Sequence, residues 1–235
     1  MHAEGNPIAD RLNLGDPREL APGIPATVRT GRLGNIQLSV CMNGIDPIHR
    51  IDRIGTESAT LTTWLLIEKT QPQLLINAGT CGGFLARGAQ IGDAYLGAGT
   101  FLYHDHRVPL SGFKEFGEAR IPAEPFPAVA ELLQIDQGVI SSGCSIDATE
   151  SERAFFDQEL VVAKDMEATA IASVARDQAV PFLAIKAVTD LVDHPEPSHE
   201  AFMRNLASTT ESLTDHLEKL IRFIGDGVTL KQLQE

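Results

Sequence analysis

The chain has 235 residues, 43% of them hydrophobic, and a formal net charge of −13; it can bury a sizeable core and is acidic enough to repel phosphate backbones and anionic lipid. Nucleic acid and membrane surfaces are therefore not expected partners, and no apolar run reaches the roughly 20 residues that a membrane helix needs. The N-terminus, Met1-His2-Ala3-Glu4, carries no basic and apolar leader, and Cys41, Cys81 and Cys144 lie far apart without metal-ligand spacing, which predicts a cytoplasmic protein with neither a disulfide framework nor a zinc site.

An α/β chain ordinarily opens on a buried strand, but here Met1 leads almost at once into the helix-like Ile8-Ala9-Asp10-Arg11-Leu12. The polar, Pro-rich stretch 14–25 reads as a loop. Thr27–Thr30 and Ile36–Met42, separated by Gly31 and the Gly34-Asn35 turn signal, read as a hairpin. From Gly55 to Thr70, Leu61, Trp64, Leu65 and Ile67 recur at helical spacing, with Trp64 expected in the core, and Gln71-Pro72 closes the segment. Gln73–Asn77 is a short buried strand that runs into the glycine-rich loop Gly79–Gly83. Gly92–His104 and Gly138–Ser145 are further strands, and Glu150–Asp157 is a short helix. The last third alternates helix (Met166–Arg176), strand (Phe182–Val188) and a long helix (Ser198–Ile224). In that helix Phe202, Leu206, Leu213, Leu217, Leu220 and Ile224 form one apolar stripe, with Ser198 as N-cap and Gly225 as C-cap. Alternating strands and helices imply a largely parallel sheet with helices on both faces, in one domain spanning 1–235 without repeat or linker.

Several polar residues in this pattern are open to two readings. Glu167 begins a helix and Asp190 sits just past a strand, the end at which ligands of parallel sheets bind. Asp165 and Glu167 are equally compatible with first-turn acids favoured by the helix dipole, and Asp190 with a turn or capping residue. Gly79–Gly83 can approach a ligand through bare backbone or form a plain tight turn; it has neither the Lys-Ser/Thr of a P-loop nor G-x-G-x-x-G. His104-Asp105-His106 offers metal-ligand types in a row, but adjacent strand residues point to opposite faces and cannot converge on one ion. No G-x-S-x-G elbow supports a nucleophilic serine. Met166 reads as core, and Asp193 with His194-Pro195-Glu196-Pro197 as a solvated loop.

Three motifs taken together, Ile76-Asn77-Ala78-Gly79-Thr80-Cys81-Gly82-Gly83-Phe84, Lys164-Asp165-Met166-Glu167-Ala168-Thr169-Ala170-Ile171-Ala172 and Lys186-Ala187-Val188-Thr189-Asp190-Leu191-Val192-Asp193, resemble the nucleoside phosphorylase superfamily. Within it they are most similar to 5′-methylthioadenosine/S-adenosylhomocysteine nucleosidases, over most of the chain from about Gly44 onward. The resemblance implies a three-layer α/β/α domain with a mostly parallel, mixed central sheet. It implies that Glu167, with the backbone around Met166, holds the ribose 2′- and 3′-hydroxyls, a task for which a carboxylate has two acceptor oxygens. Asp190 matches the acid that protonates purine N7, and partial burial would keep its proton on. Thr80, next to Gly79, matches a small hydroxyl residue beside sugar and nucleophile. Ile146 matches the side chain packed on the base, where many relatives carry an aromatic, and Lys186 stands where bacterial relatives often have arginine. Glu4 matches the water-activating acid of Met-x-x-Glu at the end of the family's first strand. The apolar strand before it is absent here, which predicts a start codon placed late.

The implied reaction is hydrolysis: Asp190 protonates the leaving adenine, water polarised by Glu4 attacks C1′, and Glu167 holds the sugar. No metal or organic cofactor is implied. A homodimer is, with 108–116 of one subunit closing the neighbour's 5′ pocket. Two rivals stand beside it. A purine nucleoside phosphorylase needs arginines aimed at phosphate, and Arg29, Arg50 and Arg53 fall in no such motif. A catalytically impaired nucleoside binder would fit Cys144, where relatives often have aspartate. Methylthioadenosine, S-adenosylhomocysteine, 5′-deoxyadenosine and aminodeoxyfutalosine all remain open as substrates.

Overall fold

Two strands of opposite composition lie side by side at the centre of the fold. In the computed structural model, which describes residues 1–235, β9 (Phe182–Leu191) is almost wholly buried, and its parallel partner β4 (Leu75–Gly83) ends in the glycine cluster. The side chains of β9 alternate as a pleat requires: Leu183, Ile185 and Ala187 enter one apolar core, Phe182, Ala184 and Val188 the other. The first core is completed by α1 (His2–Arg11), α4 (Pro127–Leu133) and α7 (Ser198–Gly225), the second by α2 (Thr56–Thr70) and α6 (Ala168–Asp177). This makes three layers, helices on both faces of one sheet.

The sheet runs β6 (Ile121–Pro122), β5 (Ala94–Tyr103), β7 (Asp136–Ser142), β8 (Val161–Asp165), β4, β9. The ladders β5–β7, β7–β8 and β4–β9 are parallel. An antiparallel pairing of β5 with β9 joins the two sides, so the sheet curls into a barrel-like arrangement. A separate antiparallel sheet holds β1 (Arg18–Glu19), β2 (Thr27–Leu33) and β3 (Ile36–Met42), the last two forming the expected hairpin about Gly34, whose φ of +55° suits the turn. The remaining helices are α3 (Phe113–Glu118), α5 (Glu150–Gln158), started by a reciprocal Thr149/Glu152 capping box, and α8 (Leu230–Gln234). No helix is long and apolar enough to cross a membrane, and all three cysteines are free.

Five expectations change. The glycine segment is strand, not loop: Thr80 pairs with Ala187 and Cys81 with Val188, then a bulge brings Gly82 opposite Asp190. Its glycines serve close approach, since a Cβ on Gly82 would lie 2.7 Å from Val192 and 3.1 Å from Asp190 Oδ2. Asp190 consequently lies inside β9 rather than past it. Trp64 is 45% exposed, because α2 buries its Thr56, Ser58, Ala59, Thr62 and Thr63 side instead. Glu4 sits in the first turn of α1 rather than on a strand: the Glu4 and Gly5 amides bond back to the Met1 carbonyl, and from Leu75 to Cys81 the only ladder partner of β4 is β9. Ser198 and Gly225 lie just inside α7 rather than capping it.

Candidate active site

The carboxyl ends of β4, β7, β8 and β9 meet the starts of α1, α2 and α6, and here the structure collects the polar residues that an apolar core would otherwise exclude. Glu4 reaches in from α1. Its Oε1 accepts hydrogen bonds from the Thr80 amide (2.7 Å) and Thr80 hydroxyl (2.8 Å), and its Oε2 from the Met1 amino group at 2.6 Å. Burial alone would raise the Glu4 pKa, but the Met1 charge and these donors outweigh it and hold the carboxyl below the usual range. Thr80 and Gly79 therefore lie against Glu4.

Glu167 stands at the N-cap of α6, half-buried, and its Oε1 accepts the Gly55 amide at 2.8 Å from the start of α2. Burial is the main reason its pKa lies above the ordinary value; the negative charge of Asp165 adds to it, while Lys186 and the Gly55 amide oppose. Met166, beside it, is half-buried rather than core. Asp165 is not a mere first-turn acid. It does accept the Ala168 amide of α6 at 2.8 Å, but it also pairs with Lys186 Nζ at 2.6 Å and accepts the Ser142 hydroxyl at 2.5 Å.

Asp190 is 5% exposed and accepts the Thr189 hydroxyl at 3.0 Å. Burial pushes its carboxyl above the ordinary aspartate value, against hydrogen bonds from Ser198 and Thr189 and the charge of Lys164. A cavity of about 290 Å³ adjoins it, lined among others by Ile146, Arg153, Val192, His194 and Ser198. Ile146 is 40% exposed there, in a loop whose carbonyls at Ser145 and Ile146 are fixed by Lys164 Nζ at 2.5 and 3.1 Å. Glu4 and Lys186 flank the same hollow over Gly79 without forming an ion pair: a Cβ on that glycine would be 3.2 Å from Glu4 Oε1 and 3.4 Å from Lys186 Nζ.

Other singled-out residues go elsewhere. His104 Nδ1 faces Ser141 Oγ at 3.0 Å, with burial and then Lys164 pushing the ring down to about 4; Asp105 accepts the Cys144 amide at 2.8 Å, and His106 stacks on Tyr103. The three go to different partners, in the bend that follows β5. Asp193 is exposed but not idle, accepting the Leu85 and Ala86 amides at 2.7 and 2.8 Å. Arg29 spends its guanidinium on Asp10, Leu14 O and Gly15 O. Sequence reasoning missed Gly55 and Ser142 altogether and did not pair Asp165 with Lys186. The sequence shows a lysine inside an apolar strand pattern, Lys186, and an aspartate at the entry to a helix, Asp165, but nothing that pairs them.

The chain as a whole matches known proteins. Residues 4–222 match the family described as the phosphorylase superfamily. A 5′-methylthioadenosine nucleosidase of Arabidopsis thaliana is 34% identical over 226 residues, 95% of this chain and 84% of that protein. A 5′-methylthioadenosine/S-adenosylhomocysteine nucleosidase of the same plant is 35% identical over 228 residues, covering 95% and 89%. The apo structure of the Arabidopsis thaliana 5′-methylthioadenosine nucleosidase superposes with a TM-score of 0.94 at 34% identity, over 99% of this chain and 95% of that one. The strand-end carboxylates, the glycine-lined strand and this agreement along nearly the whole length place the chain in the phosphorylase superfamily, in the branch of the 5′-methylthioadenosine/S-adenosylhomocysteine nucleosidases.

Proposed function

We propose that the chain hydrolyses the N-glycosidic bond of 5′-substituted adenosines, 5′-methylthioadenosine or S-adenosylhomocysteine, and releases adenine. The observation that carries the reading is the grouping of Asp190, Glu167 and Glu4, drawn from β9, the α6 entry and α1, at one end of the sheet. Asp190, whose burial favours the protonated form, donates to purine N7 as the bond to C1′ breaks. Glu167 accepts the ribose hydroxyls, with the Met166 backbone alongside. Glu4, kept ionised by its donors, takes a proton from the water that attacks C1′, within reach of Thr80 and Gly79. Ile146 covers the base. The chain's own side chains supply acid, base and sugar grip, so the mechanism calls on no cofactor.

Phosphorolysis is the weaker reading, because Arg29 is consumed by Asp10 and two carbonyls, and Arg50 is exposed on the 43–55 loop. We further propose a homodimer. Ile48, Ile51, Leu61 and Trp64 are exposed on and beside that loop, and Phe113 and Phe116 stand 53% and 78% exposed in or next to 108–116; large apolar side chains in such numbers fit a partner surface. Sedimentation should give a dimer that Ile51→Asp weakens, and a monomer at all concentrations would remove this part. The catalytic reading is tested by assaying adenine release from methylthioadenosine, S-adenosylhomocysteine, 5′-deoxyadenosine and aminodeoxyfutalosine. Turnover of the first or second, lost in Asp190→Asn, is expected; no adenine from any of the four would refute it.

A further inference from the structure

The ion pair under the site is oddly costly for a purely structural device. Lys186 and Asp165 have side chains 1% and 0% exposed, and a buried ion pair often stabilises no better than apolar residues of the same volume. Its surroundings are nevertheless built to hold Asp165 still. Oδ1 accepts the Ser142 hydroxyl and Oδ2 accepts the Ala168 amide, and Ser142 Oγ itself accepts the Thr169 amide at 2.8 Å. The ends of β7 and β8 and the first turn of α6 thus fix one carboxylate, and that carboxylate fixes one ammonium. The ammonium lies at the hollow over Gly79 that Glu4 Oε1 also faces.

We propose that Asp165 is a positioning residue for the hydrolysis: by tethering Lys186 Nζ it keeps that cation near Glu4 without letting it add a second ion pair to the one Glu4 already makes with the Met1 amino group. The proposal rests on the reading of Glu4 as the base. The charged and titratable groups around Lys186 are Glu4 from α1, Cys81 from β4, Asp165 from β8 and Glu167 at the α6 entry, and Glu4 in turn pairs with the Met1 amino group. With Asp165 neutral, Glu4 and Glu167 are the anions left for a buried ammonium to seek. Glu4, sharing the Gly79 hollow, is the one it captures. A second cation on Glu4, beside Met1, would blunt it as a base and leave the ribose grip of Glu167 and the base contact of Asp190 in place, so the loss falls on kcat rather than KM.

The test is a double-mutant cycle of Asp165→Asn and Lys186→Gln, with Ser142→Ala as a milder loosening of the same tether. Asp165→Asn should lower kcat at least tenfold with KM within threefold, Ser142→Ala should lower kcat less and in the same pattern, and Asp165→Asn should cost little more in the Lys186→Gln background. If Asp165→Asn does not fold, the pattern in Ser142→Ala carries the test. Carboxyl ¹³C NMR of glutamate-labelled protein gives a readout independent of turnover: the loosened variant should move the Glu4 titration midpoint down, and Lys186→Gln should abolish that movement. Additive losses, a change confined to KM, or an unmoved Glu4 midpoint would each overturn the proposal. Absence of adenine release by the wild-type chain would instead refute the hydrolytic reading, leaving the NMR arm to decide the tether.

Discussion

The floor of the site and its base-side wall are built differently. On the floor, Asp165, Lys186 and Ser142 are buried and mutually bonded, and Glu167 is held by the Gly55 amide. At the wall, Ile146 is 40% exposed beside an open cavity of about 290 Å³, and His194, Pro195 and His199 face solvent. The floor is assembled from strand ends and helix starts, which cannot shift without breaking sheet ladders, whereas the wall is loop. Positions that must hold charge to a fraction of an ångström are thus preorganised, and the loop wall that packs on the base is left to adapt.

The sharpest break of this contrast lies where wall meets floor. Asp190→Asn should lower kcat by about 10²–10⁴-fold, the usual span for a general acid, with ligand affinity spared in calorimetry; a comparable loss of affinity would make Asp190 a binding residue only. On the floor, Glu167→Gln should lose a charged acceptor, about 1.5–3 kcal/mol, seen as a fall of roughly 10–100-fold in kcat/KM. A wild-type value would show that the ribose is held elsewhere.

The two carboxylates titrate in opposite directions. Glu4, held below the usual range, stays ionised well into acid, so the first acid-side loss should come as pH drops through the raised pKa of Glu167, whose charge grips the ribose, and the next as Glu4 is protonated; Asp190, raised by burial, must be protonated, so activity should fall as pH rises through its raised pKa. A pH–rate profile whose alkaline limb survives in Asp190→Asn would contradict the assignment. Stability follows the same linkage. A carboxyl whose folded pKa is raised contributes stability that is present at low pH and lost as pH rises from the unfolded pKa through the folded one. Asp190→Asn should therefore raise Tm at neutral pH relative to wild type and make little difference near pH 3. The smallest effect belongs to the wall: Ile146→Phe should gain about 0.5–1.5 kcal/mol from an aromatic face against the purine, lowering KM a few-fold without moving kcat.

The same division explains what could be read from residue order. Glu167 and Asp190 were legible because each follows or precedes a strongly periodic element, and the hairpin, β9 and α7 were legible from alternation and the 3–4 stripe. The strand β8 was not, because Val161-Val162-Ala163 is short and ends in Lys164-Asp165, charges that look like surface until both prove 4% exposed. Gly79–Gly83 reads as a loop because glycine weakens strands; its use for close approach becomes visible only once Val192 and Asp190 lie across from it. Trp64 reads as core because hydrophobicity marks an apolar face without saying which neighbour covers it. Nothing in the order of residues shows that Asp165 and Lys186 meet.

The most direct test of the central claim is product analysis of 5′-methylthioadenosine turnover by the wild-type chain in phosphate-free buffer. The account predicts adenine and free 5-methylthioribose in equal amounts, at a rate unchanged by added phosphate. Turnover that requires phosphate and yields a sugar 1-phosphate, or no release of adenine at all, would contradict it.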